Sequence, residues 1–117
     1  MSGEHVAVWN GTRMLCNRAR IATTPAERRS GLLGCMSLDR GEGLLLTECS
    51  AIHTVGMRII IDVVFVDAEG VVQCAEPNIM SNRQVFCLTA CSALELPAGT
   101  IVSTETSVGD VLRFEFF

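Results

Sequence analysis

The sequence predicts a mainly β fold, a compact β-sandwich or barrel-like domain with one short helix, organised as a single domain over residues 1–117. Three observations predict it. Short apolar runs recur between turn-forming pairs such as Asn10-Gly11, Glu69-Gly70 and Gly109-Asp110, the grammar of hairpins. The run Ile59–Val66 is densely β-branched and too short to cross a membrane, so it reads as a strand buried on both faces. A single segment, Thr24–Gly34, carries helix start and stop signals. With 49% apolar residues in 117, the chain has enough material for one core without metals or crosslinks.

In chain order, Val6–Trp9 and Met14–Cys16 flank Asn10-Gly11, the dipeptide that most readily supplies positive φ, and form a predicted hairpin. Thr24 is then a cap, Pro25 suits the first helical position, and Glu27 completes a Thr-x-x-Glu capping box. The predicted helix runs from Pro25 to about Leu33, with Gly34 as terminator. Gly31 inside it marks either close packing by another backbone or an earlier end of the helix. Gly43–Thr47 is a strand, and Ile52–Met57 begins another before Gly56 bends it. Ile59–Val66 turns at Ala68-Glu69-Gly70 into Val71-Val72 as a second hairpin, and Pro77–Arg83 reads as a loop. Ser92–Leu96, a turn at Pro97-Ala98-Gly99, the short run Thr100–Val102 and Val111–Phe116 complete the pattern. The last alternates apolar and charged residues, as a strand with one wet face does.

Charge is unevenly spread. Residues 1–40 hold six arginines against three acids, residues 41–117 three arginines against ten acids, and the net charge is −4. The arginines of the first part have no lysines or interleaved aromatics beside them and the pI is about 5.0, which argues against a nucleic-acid partner. The amino terminus lacks the features of a signal peptide, and no segment has the length of a membrane span, so a cytoplasmic protein with no membrane partner is expected. On that basis the six cysteines, Cys16, Cys35, Cys49, Cys74, Cys87 and Cys91, are expected as reduced thiols.

The ordered blocks Ala22–Gly34, Glu42–Leu46, Ile52–Asp67, Leu94–Gly99 and Val108–Asp110 together resemble domain of unknown function family 192. The resemblance implies a small β-sandwich-like fold with a short helix, and no particular reaction. Many relatives carry Trp-Met-x-Asn-Thr where this chain has Gly56-Met57-Arg58-Ile59-Ile60, so it resembles a His-Thr-x-Gly-Met-Arg branch.

Among residues able to carry chemistry, Asp62 lies between aliphatic neighbours, and a buried carboxylate needs a partner or a raised pKa. It is a structural acceptor or a tuned acid. As a structural acceptor, its expected donors are Arg28, Arg29 or backbone amides of the His53–Gly56 bend. Glu95, between Leu94 and Leu96, poses the same choice. His53 follows Cys49 at a spacing open to a thiolate–imidazole pair, yet no cluster with zinc-site spacing is present, and no metal or other cofactor is expected. Arg58 beside Met57 offers planar recognition of an anion. Asp67 and Asp110 stand at glycine turns and read as local structural acceptors. Phosphate loops, nucleophile elbows and zinc-protease motifs do not occur. These features point to a binding or interaction module whose pocket or edge involves His53, Thr54, Met57, Arg58, Asp62 and Glu95, with a small molecule or protein as partner. The alternatives are a small hydrolase using Asp62 with Glu95, or His53 with Cys49, and a structural protein–protein partner.

Overall fold

The structure, a computed structural model, describes residues 4–117. Strands β1 (His5–Asn10) and β2 (Arg13–Ala22) form the expected hairpin, with Gly11 at φ 62° in its turn. Helix α1 (Pro25–Ser30) has the capping box read from the sequence: Glu27 N–H donates to Thr24 Oγ1, and the Glu27 carboxylate accepts from Thr24 N–H. It stops earlier than Leu33, because Gly31 takes φ 51° and caps it. Next come β3 (Leu44–Thr47), β4 (Ala51–His53), β5 (Ile61–Val66), β6 (Val72–Ile79), β7 (Gln84–Phe86) and β8 (Ser92–Pro97). A second helix, α2 (Thr100–Thr104), precedes β9 (Arg113–Phe116).

Two expectations change here. The Thr100–Val102 run, expected as another short extended segment, is the start of α2, so the described residues hold two helices rather than one. A five-residue helix leaves little periodicity to read. Pro77–Ile79, expected in a loop, continues β6. This strand lies at one edge of the sheet, where proline's missing N–H breaks no ladder.

Seven strands make one mixed sheet in the order β6-β5-β8-β3-β2-β1-β9, and β4 pairs with β7 in a small separate sheet. Only β2–β3 is parallel within the large sheet. The sheet curls until its ends approach: Val71 bridges Val111, and Leu112 N–H donates to the Gly70 carbonyl. No ladder joins β6 to β9, so the barrel stays open.

Every residue of β5 is buried, as its β-branched sequence requires. Alternation along β5 and β8 therefore supplies two cores. Val64, Val66, Leu94 and Leu96 join Val6, Val8, Leu15 and Ile101 inside the curl. Val63, Phe65 and Ala93 join Leu44, Leu46, Leu32, Ile52 and Met57 on the other face, beneath the segment after α1 and the small sheet. Gly43 lets β3 and β8 approach, since a Cβ there would lie 2.9 Å from the Glu95 carbonyl.

The expectation of six free thiols is overturned. Cys74 and Cys87 form a disulfide with their Cα atoms 6.3 Å apart, tying the start of β6 to the residue after β7, while Cys16, Cys35, Cys49 and Cys91 are free. Cys87 is held within reach by its N–H bond to the Ser50 carbonyl at 2.8 Å. The cytoplasmic placement loses the support of a fully reduced set. No helix among the described residues is long and apolar enough to cross a membrane.

Candidate functional site

The two carboxylates singled out by their aliphatic neighbours lie on adjacent strands and face opposite ways. Asp62 pairs with Leu96 and Val63 with Glu95, and cross-strand partners share a face. Asp62 therefore points into the core inside the curl, and Glu95 into the other. An acid–base couple of Asp62 with Glu95 is not assembled.

Asp62 is fully buried and fully employed. Its Oδ1 accepts from Asn78 N–H at 2.9 Å and its Oδ2 from Ile101 N–H at 2.8 Å. Both donors follow from local backbone. The register of β6 slips between Ile79 and Glu76, and Asn78 takes φ 55° within that irregularity. At α2 the N-cap is Gly99, with no side chain to satisfy the first-turn amides, and Asp62 supplies the missing acceptor from β5. The donors are thus neither Arg28, Arg29 nor the His53–Gly56 bend. The sequence offered no view of either amide, because one depends on a bulge and the other on a helix without a cap signal.

Glu95 is only 2% exposed, and its Oε1 has no hydrogen-bond partner. Burial pushes its carboxyl up to about 7 from the usual 4.5, with no opposing cation. The group forms part of the wall of a cleft of about 460 Å³. One side of the cleft is α1 with the turn after it: Arg28, Arg29, Gly31, Leu32 and Leu33. The helix brings its glycine cap close, since a Cβ on Gly31 would sit 3.5 Å from Glu95 Oε1. The other side is the small sheet with its approach, including Cys49, Ile52, His53, Gln84 and Phe86, and Leu46 and Met57 add apolar surface.

The remaining candidates divide. His53 is exposed and Met57 is buried, and both line the cleft. Thr54 is buried and already spent: its Oγ1 donates to the Met80 carbonyl at 2.6 Å and accepts from Arg83 N–H at 2.9 Å, fastening the bend to the loop before β7. Arg58 does not line the cleft; its guanidinium is exposed and lies 3.3 Å from Met36 Sδ. Cys49 lines the cleft, but its thiol donates to the Ala51 carbonyl at 3.0 Å rather than engaging His53. Burial pushes that thiol up, and the charge of Glu95 adds to the rise while Arg28 opposes it. The activated pair of Cys49 with His53 is therefore not built. Asp67 and Asp110 are local acceptors, as expected: Asp67 takes Glu69 and Val71 N–H, and Asp110 takes Ser107 N–H and the Asn10 amide.

Sequence reasoning missed Gly31, Leu32, Leu46 and Phe86 as cleft residues. Gly31 carried the one usable signal, a glycine inside a helical pattern. No group of three or more His, Cys, Asp or Glu residues suited to a metal occurs among the described residues.

Comparison with known proteins bears on the fold. The chain is similar to a protein of unknown function from Novosphingobium aromaticivorans DSM 12444, with 20% identity, a TM-score of 0.82, and coverage of 93% of this chain and 83% of that one. It is also similar to a proposed transcription regulator from Sinorhizobium meliloti 1021, with 20% identity, a TM-score of 0.83, and coverage of 95% and 92% respectively. At this identity the likeness shows a shared fold alone. No curated protein matches the chain. The profile of domain of unknown function family 192, described as "Uncharacterized ACR", matches residues 7–114, so the chain belongs to that family.

Proposed function

We propose that this protein is a small-molecule binding module whose ligand enters the cleft between α1 and the small sheet and hydrogen-bonds to Glu95. The observation that carries the reading is the unpartnered, buried Oε1 beside an accessible, largely apolar cavity. A buried polar atom left without a partner costs about 1–3 kcal/mol. Such a cost is understandable where a bound molecule removes it, and an apolar cleft with few polar groups is the usual form of a ligand site. Met57 and His53 contribute lining, while Thr54, Arg58 and Asp62 stand outside the contact set. A hydrolase reading has less support, since neither of its residue pairs is assembled.

The test is a fragment screen on isotopically labelled protein, read by amide chemical shifts. Fragments with an apolar body and one hydrogen-bonding group are expected to move Gly31, Leu33, Ile52 and Gln84 together. A screen whose hits leave those amides unmoved would overturn the proposal.

A further inference from the structure

The polarity of the cleft says more about its ligand, on the reading that the cleft is a binding site. Its inner pole is Glu95, an acceptor with no cation to oppose its charge. Its outer pole includes Arg28, half-buried, and Arg29, exposed, on the last turn of α1. The ion pairs found among the described residues are Arg13–Glu105 and Arg113–Glu115, so neither cleft arginine is neutralised by an acid. Arg28 Nη1 donates to the Thr23 carbonyl at 2.6 Å, which leaves its charge uncompensated. Glu48 and His53 also stand on the lining, both exposed, and Glu48 carries the charge opposite to that of the arginines. Buried Leu32, Leu46, Ile52 and Met57 make much of the remaining lining apolar. The Gly31 cap of the helix that carries both arginines packs against the inner pole, since a Cβ there would lie 3.5 Å from Glu95 Oε1.

We infer that the cleft takes a small bipolar ligand, with an ammonium group docked on Glu95, an apolar body, and a carboxylate held at the more exposed side by Arg28 and Arg29. An ammonium supplies the absent donor and the absent countercharge together, and charge-assisted hydrogen bonds are the strong ones. A hydroxyl would supply the donor alone. A carboxylate at the inner pole would meet another carboxylate. A simple cation would have to pass two arginines, whereas a carboxylate on the same molecule turns that field into an attraction and suits the guanidinium fork.

Three probes separate these contributions: 6-aminohexanoate, hexylamine and hexanoate, titrated calorimetrically against the wild-type chain at about pH 8, where Glu95 is ionised. The first is expected to bind at least about tenfold more tightly than either of the others, a difference of about 1.4 kcal/mol. Glu95→Gln, which retains the side-chain shape, removes its advantage over hexanoate. Arg28→Gln with Arg29→Gln removes its advantage over hexylamine. Lowering the pH to about 6 weakens 6-aminohexanoate, because protonated Glu95 carries no countercharge. Equal binding of the three probes, or an unchanged ranking in Glu95→Gln, overturns the bipolar ligand. If no probe binds while fragments still map to the cleft, this inference fails alone; if fragments also avoid the cleft, the binding reading fails with it.

Discussion

Asp62 and Glu95 make an internal control for what a buried carboxylate means. They occupy adjacent central strands, are 0% and 2% exposed, and have aliphatic neighbours in sequence. On one face of the sheet the carboxylate has two backbone donors at 2.9 and 2.8 Å, and α2 closes over it. On the other, Oε1 has none, and a cleft opens beside it. Sequence context made the two alike. The difference lies in which backbone amides other elements bring to each face, and it separates an acid that holds the fold from one that is left available.

The sharpest way to break the comparison is to remove the satisfied acid. Asp62→Ala leaves the Asn78 and Ile101 amides without their acceptor, at about 1–3 kcal/mol each for buried groups. Since Asn78 is exposed and its bond to Asp62 only part-buried, a total loss of about 3 kcal/mol is expected in equilibrium urea unfolding. Asp62→Asn keeps one acceptor oxygen and should lose about half as much. Unchanged stability in both variants would show that Asp62 is not the fastening point of α2.

Glu95 should respond in the opposite direction. Its carboxyl titrates near 7 in the fold against 4.5 for the free group, a difference on the order of 3 kcal/mol. The folded chain binds the extra proton between those values, so this group's stabilising contribution is complete below about pH 4.5 and is lost as pH rises through about 7. Glu95→Leu removes an ionisable group that has no partner, and is expected to raise stability by about 1–3 kcal/mol at about pH 8. The gain over wild type should shrink on acidification toward pH 4.5. A variant less stable than wild type at pH 8 would mean that Glu95 is satisfied in the fold.

Much of this contrast was beyond the reach of sequence for physical reasons. Turn chemistry and capping are local, so Asn10-Gly11, Glu69-Gly70 and the Thr24–Glu27 box were legible, and so was the doubly buried run at Ile61–Val66. Period-two alternation puts adjacent positions on opposite faces, but it gives no register between strands. That Val63 rather than Asp62 pairs with Glu95 depends on how β8 inserts beside β5, across a long stretch of chain. The same holds for Cys74 and Cys87, which meet only because β7 folds back beneath the sheet. Short α2, with a glycine cap, carried no signal at all. Gly31 was noticed as a helix end or a place of close backbone packing, whereas its actual neighbour, the Glu95 side chain, needed the tertiary fold.

The smallest expected effect tests whether the two faces are also separate in their motions. Thr24→Ala removes the hydroxyl that accepts from Glu27 N–H at 3.1 Å, at a cost of about 1 kcal/mol for an N-cap. The reciprocal bonds to the Glu27 carboxylate, from Thr24 N–H first and Thr23 N–H second, hold that carboxyl below its usual range, and with the cap hydroxyl gone they lose their alignment. Helix α1 has no buried residue of its own, so little else resists its opening. Amide hydrogen exchange should then quicken at Arg28 and Gly31, whose N–H groups donate to Thr24 and Glu27 carbonyls. At Ile101, held by Asp62 inside the curl, exchange should follow only the roughly 1 kcal/mol change in global stability. Equal acceleration at both places would mean that the faces open as one unit, and that the cleft beside Glu95 cannot loosen without disturbing the Asp62 side.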